Sequence, residues 1–233
     1  MSWNEPSIVA GEARDVRVTS FLGKVYGWMF LGLLITTGTA FVVASSPFLI
    51  ETLILNRILF WGLLFGQLGL VWWLSAKVES MSPTTAALLF MIYSGAVGIT
   101  TSVILLVYTA SSLVSTFMVT AGMFGALALF GTFTKRSLAG VGQFMFMGLI
   151  GLILAMIVNI FWANDLLSFV ISVVGVIVFT GLTAWDAQRL KAMAVALPDG
   201  RVGSYAVVGA LSLYLDFINL FFFLLRLIGG RRS

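Results

Sequence analysis

The chain of 233 residues has no cysteine and no histidine. The first absence excludes disulfides, thiolate nucleophiles and cysteine-based zinc or haem sites. The second excludes imidazole catalysis, and any response to pH near neutrality must then come from carboxylates or an amine. Charge is scarce as well, at 9% of residues with a net formal charge of +4. The basic residues are scattered singly or in pairs at segment ends, without the basic run or aromatic platform of a nucleic-acid interface. They read as topology-setting charges and argue against a nucleic-acid partner.

What is abundant is apolar surface. Hydrophobic residues make up 60% of the chain, with 20 Phe and 24 Gly, and the mean hydropathy is +1.09. A soluble domain of this length leaves too much surface in water to hide that composition. The fold class expected is therefore an all-α integral membrane protein. Residues 1–24 are polar and charge-balanced, lack a signal-peptide pattern, and read as a cytosolic N-terminal tail able to form an amphipathic helix leading into the membrane.

Seven apolar stretches follow, near 25–45, 54–76, 84–107, 112–132, 142–162, 166–187 and 207–228. Each approaches the ~20 residues that cross a ~30 Å hydrocarbon core. They make 25–229 one seven-helix transmembrane domain and 230–233 a short C-terminal tail. The breaks (SSPF, SMSP, YTASS, TKRS, WAND, LPDG) carry residues that end helices. The third and fifth links are so short that their helices are expected to be antiparallel neighbours. With the N-terminus inside, the inner segments hold Arg14, Arg17, Lys24, Lys77, Lys135, Arg136, Arg189, Lys191 and Arg201. The outer ones hold Arg57, Arg226, Arg231 and Arg232. This imbalance predicts a multi-pass plasma-membrane protein with a cytoplasmic N-terminus. Gly62, Gly66 and Gly69, Gly95 and Gly98, and Gly122 and Gly125 are read as sites of close helix packing.

One feature conflicts with an apolar span. In GALSLYLDFINLFFFLLRLIGG, the positions Ser212, Asp216, Asn219, Phe223 and Arg226 share a helix face. An aspartate at membrane depth costs ~2.5–3.5 kcal/mol even on lenient scales, so this stripe must face protein or water. Arg226 lies about 15 Å along the axis from Asp216, too far to pair with it. The best partner is Asp186 in TAWDAQRLK, near the inner end of the sixth helix. Two close carboxylates in low dielectric cannot both ionise cheaply; they share a proton and titrate as a unit. The plainer reading of Asp186 is that it flanks its helix beside the interfacial anchors Arg189 and Lys191. Asn159 and Asn219, with Gln67 and Ser94, are interhelical hydrogen-bonding groups, and the two asparagines can also offer carbonyl oxygens to a cation. Glu51 and Asp165 fall in outer loops.

TGLTAWDAQRLK and GALSLYLDFINLFFFLLRLIG resemble the corresponding segments of the Bax inhibitor-1 family, the transmembrane BAX inhibitor motif proteins, in its bacterial branch. LVWWLSAKVESMSP, MGLIGLILAMIVNIF and SVVGVIVFTGLTA resemble family segments too. The resemblance implies seven helices with the last one central. It also implies a pH-sensitive calcium leak gated by a hydrogen-bonded aspartate pair, which by motif is Asp186 and Asp216. Trp185 stands where the family usually has tyrosine. Some bacterial relatives latch the sixth-helix aspartate with an arginine at the inner end of the second helix. Here that place holds Ser75, with Lys77 two residues on.

The leading expectation is thus a passive cation leak, not an enzyme. It would conduct Ca²⁺, respond to H⁺, contact membrane lipid and have no cofactor. Asp186 and Asp216 would gate it and bind Ca²⁺ weakly, with Lys77, Asn159, Asn219 and Arg226 as gate or pore support. Two carboxylates and a few carbonyls fall short of the 6–8 oxygens of a tight calcium site, which suits ions that must leave. The alternative is a stress-response regulator that binds a membrane-bound ATP-dependent protease. An intramembrane hydrolase would also use two aspartates, but the motifs such proteases carry are absent.

Overall fold

A computed structural model describes residues 5–232; residues 1–4 and 233, the extremities of the two expected tails, lie outside it. Because hydrocarbon offers no hydrogen-bond partner, the backbone must satisfy itself within each segment, which selects helices. Seven long ones form among the described residues: α1 (Glu5–Ala44), α2 (Arg57–Lys77), α3 (Pro83–Val107), α4 (Ala110–Phe133), α5 (Ala139–Phe161), α6 (Asp165–Ala196) and α7 (Val202–Ile228). All seven are long and apolar enough to cross a membrane. A single turn at Pro47–Leu49 and a π-helical stretch at Ile50–Leu55 join α1 to α2.

The starts are set by side chains that accept otherwise unpaired amides. Asn56 accepts from Ile58 and Leu59 at 3.1 and 3.2 Å. Ser82 accepts from Thr85 at 3.1 Å with Pro83 in the first turn, and Asn164 accepts from Leu167 at 3.1 Å. The amide of Leu138, at the start of α5, instead donates to Gln188 of α6 at 2.8 Å. One end of the bundle (here the near end) carries the start of α1 and the α2–α3, α4–α5 and α6–α7 links. The far end carries the other three links and the end of α7. Near-end links are tied together: Arg17 donates to the Leu197 carbonyl, and Arg201 pairs with Glu79 at 3.9 Å.

α7 is the axis of the molecule. It packs against α6, α1, α4 and α3, and 61% of its apolar window is buried, against 6% for α2 and for α5. These two outer helices rest on α3 and α6 respectively.

Three expectations need correcting. α3 and α4, joined only by Tyr108 and Thr109, do not lie side by side, because α7 is inserted between them. The α5–α6 pair does pack closely, as its short link predicts. Second, α1 and α6 run well beyond the stretches 25–45 and 166–187. Their extra turns carry charge yet remain helical at the near end, and Phe21 and Leu22 belong to the packed core. Third, most of the glycines read as packing sites make no close crossing. A β-carbon at Gly62, Gly66, Gly69, Gly122 or Gly125 would meet nothing within 4 Å among the described residues. Of that set only Gly98 lies tightly against a neighbouring backbone, since a β-carbon there would come within 2.6 Å of the Thr36 carbonyl oxygen, and one at Gly95 would only just meet Thr39. The tight crossings gather instead around α6 and α7.

Candidate functional site

The sixth helix is shaped to let its neighbours approach. Gly131 of α4 sits directly against the Ala184 carbonyl, where any β-carbon would collide with backbone. Gly142 of α5 makes room for the Trp185 indole. Farther along, Gly175 of α6 receives Phe223 of α7, whose ring stacks on Phe179 at 5.9 Å. Small residues at crossings let backbones close in where packing, not water exclusion, holds helices together.

Two bonds fix the depth of Asp186. Lys191 donates to the Thr132 carbonyl at 2.7 Å, and Gln188 donates to the Arg136 carbonyl at 2.9 Å. Asp186 therefore lies just inside the level at which α4 ends, and the last ten residues of α6 project about 15 Å past it. It is 8% exposed. Its partners are local: Arg189 Nε lies 3.8 Å from Oδ1, and the Ser212 hydroxyl of α7 is within hydrogen-bonding reach. The Arg189 guanidinium also covers the Trp185 ring at 5.2 Å and reaches Ser212 at 3.5 Å. Arg189 is thus more than an interfacial anchor. It is the cation held on Asp186, one turn along the same helix.

Asp216 is 5% exposed, on the face of α7 turned to α6. Its Oδ2 is buried without a hydrogen-bond partner among the described residues. The charges acting on it are Asp186, which repels, and Arg189, which attracts. The predicted pair is therefore assembled. The two carboxylates act on each other through charge. Asp186 is occupied by Arg189 and Ser212, and Asp216 keeps an open acceptor.

The supporting residues scatter. Lys77 is exposed at the end of α2, and its ammonium makes no hydrogen bond or ion pair among the described residues. It does not take the place of a latching arginine. Asn219 donates to the Leu215 carbonyl of its own helix at 2.8 Å, one turn from Asp216. Arg226 is exposed toward the far end, over the Phe223 ring at 5.9 Å. Asn159 locks the α5–α6 turn: it donates to Ser168 at 3.0 Å and accepts from the Asn164 amide at 3.3 Å. Its place at the far end takes it away from the pair. Glu51 and Asp165 are exposed as expected, but they stand on helical turns and not in loops, Glu51 in the π-helical stretch and Asp165 as the first residue of α6. Gln67 makes the interhelical bond expected of it, to the Ala96 carbonyl at 3.0 Å.

One polar cluster escaped the sequence reading. Thr36 of α1 donates to the Ser94 carbonyl of α3 at 2.9 Å and receives the Tyr214 hydroxyl of α7 at 2.6 Å. This clasp joins three helices two residues from Asp216. The signal was available in LLITTGTAF, a threonine pair at membrane depth, but hydroxyls that bond their own helix look the same in sequence.

Among the described residues no group of three or more acidic side chains gathers to hold a metal. The pair itself offers two carboxylates. That is a weak and incomplete shell for Ca²⁺.

Comparison with known proteins shows the family. The family described as "Inhibitor of apoptosis-promoting Bax1" matches residues 18–233. The chain is 47% identical over 216 residues to the inner membrane protein YbhL of Escherichia coli K12, covering 91% of this chain and 92% of that one. It is 36% identical over 219 residues to an uncharacterized membrane protein of Streptococcus pyogenes serotype M1, covering 92% and 94%. With seven membrane-length helices, a central last helix and these matches along almost its whole length, the chain is a membrane protein of the Bax inhibitor-1 family.

Proposed function

We propose that the protein is a passive, pH-sensitive cation leak, with Ca²⁺ as its permeant ion, and that Asp186 and Asp216 form its gate. The observation that carries this reading is the open acceptor oxygen of Asp216, buried beside a second carboxylate that holds its own arginine. A buried anion pair with one cation is a two-state element that protons and metal ions both bias. No bond is made or broken, and no cofactor takes part. The near end, which carries most of the basic residues, is the cytoplasmic one.

In the sealed arrangement Asp186 is ionised and keeps Arg189 folded over Trp185. The two carboxylates hold one proton between them. Acid adds a second proton, cancels the charge on which Arg189 is held and frees α6 to move against α7. Leak therefore rises as pH falls. Two other cations near this end are engaged elsewhere, Lys191 on Thr132 and Arg17 on Leu197.

The test is Ca²⁺ entry into dye-loaded proteoliposomes between pH 8 and 5. Flux above empty vesicles that grows toward acid supports the leak. Flux equal to empty vesicles at every pH overturns it. The standing reading would then be the regulator of a membrane-bound protease, for which the exposed Glu12, Arg14, Asp15 and Val16 on the projecting turns of α1 offer a surface.

A further inference from the structure

The parting of α3 and α4 leaves a cleft of about 370 Å³ in the far half of the bundle. Its wall includes Leu34 and Ala40 of α1, Ile104 of α3, Phe117 of α4, and Phe217 and Phe221 of α7. The hydroxyls in the wall belong to Thr36, Thr37 and Thr101. Thr36 is taken up by Ser94 and Tyr214, and Thr101 donates to the Val97 carbonyl of its own helix at 2.8 Å. The wall thus offers a polar guest little. An apolar cavity with room for roughly a dozen waters, at ~30 Å³ each, stays dry.

The cleft opens sideways. Leu34, Val114 and Phe117 line it and are 53%, 60% and 42% exposed. They stand on α1 and α4, which are not packed on each other. Val114 lies four residues, about 6 Å, from the far-end start of α4, and Leu34 about 15 Å from the far-end terminus of α1. What reaches the mouth at this depth is bilayer hydrocarbon.

A second feature stands above it. The last residues are pinned across the α3–α4 link: Thr109 donates to the Gly230 carbonyl at 3.1 Å, Arg232 to the Val107 carbonyl at 2.9 Å, and Gly230 to the Ser112 hydroxyl at 2.8 Å. Arg231 bridges to Tyr108 in the same strip. Two exposed arginines are thereby fixed at the far-end surface, directly beyond the α3 and α4 residues that wall the cleft. They also run against the charge bias that orients the chain, so orientation does not account for them.

We propose that this is a binding site for an anionic phospholipid. One acyl chain enters the cleft between α1 and α4 and lies against Phe117, Phe217 and Phe221, while the phosphate meets Arg231 and Arg232. The site is separate from the carboxylate pair and does not rest on the leak reading.

The experiment uses the full chain in phosphatidylcholine vesicles carrying a trace of phosphatidylglycerol with a photoreactive group in its acyl chain. Adducts are mapped by peptide mass spectrometry. The proposal expects labelling of Leu34, Val114 and Phe117 to saturate as the probe is raised, while labelling of the lipid-facing Phe65 and Leu68 on α2 grows in proportion to dose. It expects the cleft to favour the phosphatidylglycerol probe over a phosphatidylcholine probe by roughly fivefold for each arginine. In the surface variant Arg231→Ala/Arg232→Ala that preference disappears while saturation persists. Labelling that grows linearly on every face overturns the cleft as a site. Saturation without headgroup preference in the native chain, or a preference unchanged in the double variant, overturns the anionic phospholipid as its occupant.

Discussion

The two halves of the bundle differ in how their interiors are closed. In the near half, four helices converge on α6 and α7 with glycine against carbonyl and glycine against indole. There the molecule buries two carboxylates, with the exposed Arg189 held on one of them. In the far half, α7 separates α3 from α4, aromatic rings replace charges, and a cleft remains. A buried charge needs a rigid, fully occupied surround, because a misplaced dipole in low dielectric is costly. An apolar wall tolerates a gap that lipid can fill. The contrast also explains why glycine means different things along the chain: at Gly131 it permits a crossing, whereas at Gly66 it faces outward with nothing near it.

The largest effect expected from breaking this contrast follows from that pair. Gly131→Ala forces a β-carbon into the Ala184 carbonyl and should cost ~1–3 kcal/mol as an overpacking change. Gly66→Ala has free space and a better helix former, so it should leave the melting temperature in detergent unchanged or slightly raised. Equal destabilisation by the two substitutions would refute the reading of the crossings. Next comes Arg189→Gln, which removes the cation from Asp186. Ca²⁺ flux at pH 8 should rise toward the acid level of the native chain, with Arg189→Lys intermediate because a point charge replaces a fork. Unchanged flux at pH 8 would show that Arg189 holds nothing shut.

A smaller effect should follow Tyr214→Phe, which deletes the hydroxyl of the clasp with Thr36. Loss of one buried hydrogen bond is worth ~0.5–1.5 kcal/mol. Stability should fall by that order while the pH profile of flux keeps its position; a displaced profile would mean that the clasp belongs to the gate. Smallest of all, Lys77→Ala should alter neither flux nor stability, since its ammonium is exposed and unbonded among the described residues. A shifted flux profile in this variant would restore Lys77 as a latch.

Much of this was legible in the sequence. Seven apolar runs of membrane length gave seven helices, because the bilayer sets both the length and the backbone conformation. Asp216 was legible too, since a carboxylate inside an apolar run must face protein. Helix ends outside the bilayer were not, as α1 and α6 continue through charged residues that hydropathy reads as tail or loop. Nor were helix neighbours. The two-residue link at Tyr108–Thr109 suggested adjacency that α7 prevents, and the glycine stripe of α2 has the spacing of a crossing without being one. Asn159 and Lys77 were read as gate support from their residue type and approximate depth. Their partners depend on which helix face meets which neighbour, and one chain's sequence does not encode that in any single residue.

The central claim is that Asp186 and Asp216 act as one titrating unit. The most direct measurement is a double-mutant cycle on the pH profile of Ca²⁺ flux in proteoliposomes, using Asp186→Asn, Asp216→Asn and the double variant. The account predicts that Asp186→Asn leaves a flat profile to which Asp216→Asn adds nothing in the double variant, while Asp216→Asn alone removes the repelling charge beside Asp186 and displaces the profile toward acid. Effects of the two substitutions that simply add, or single variants that keep the native profile, would contradict it.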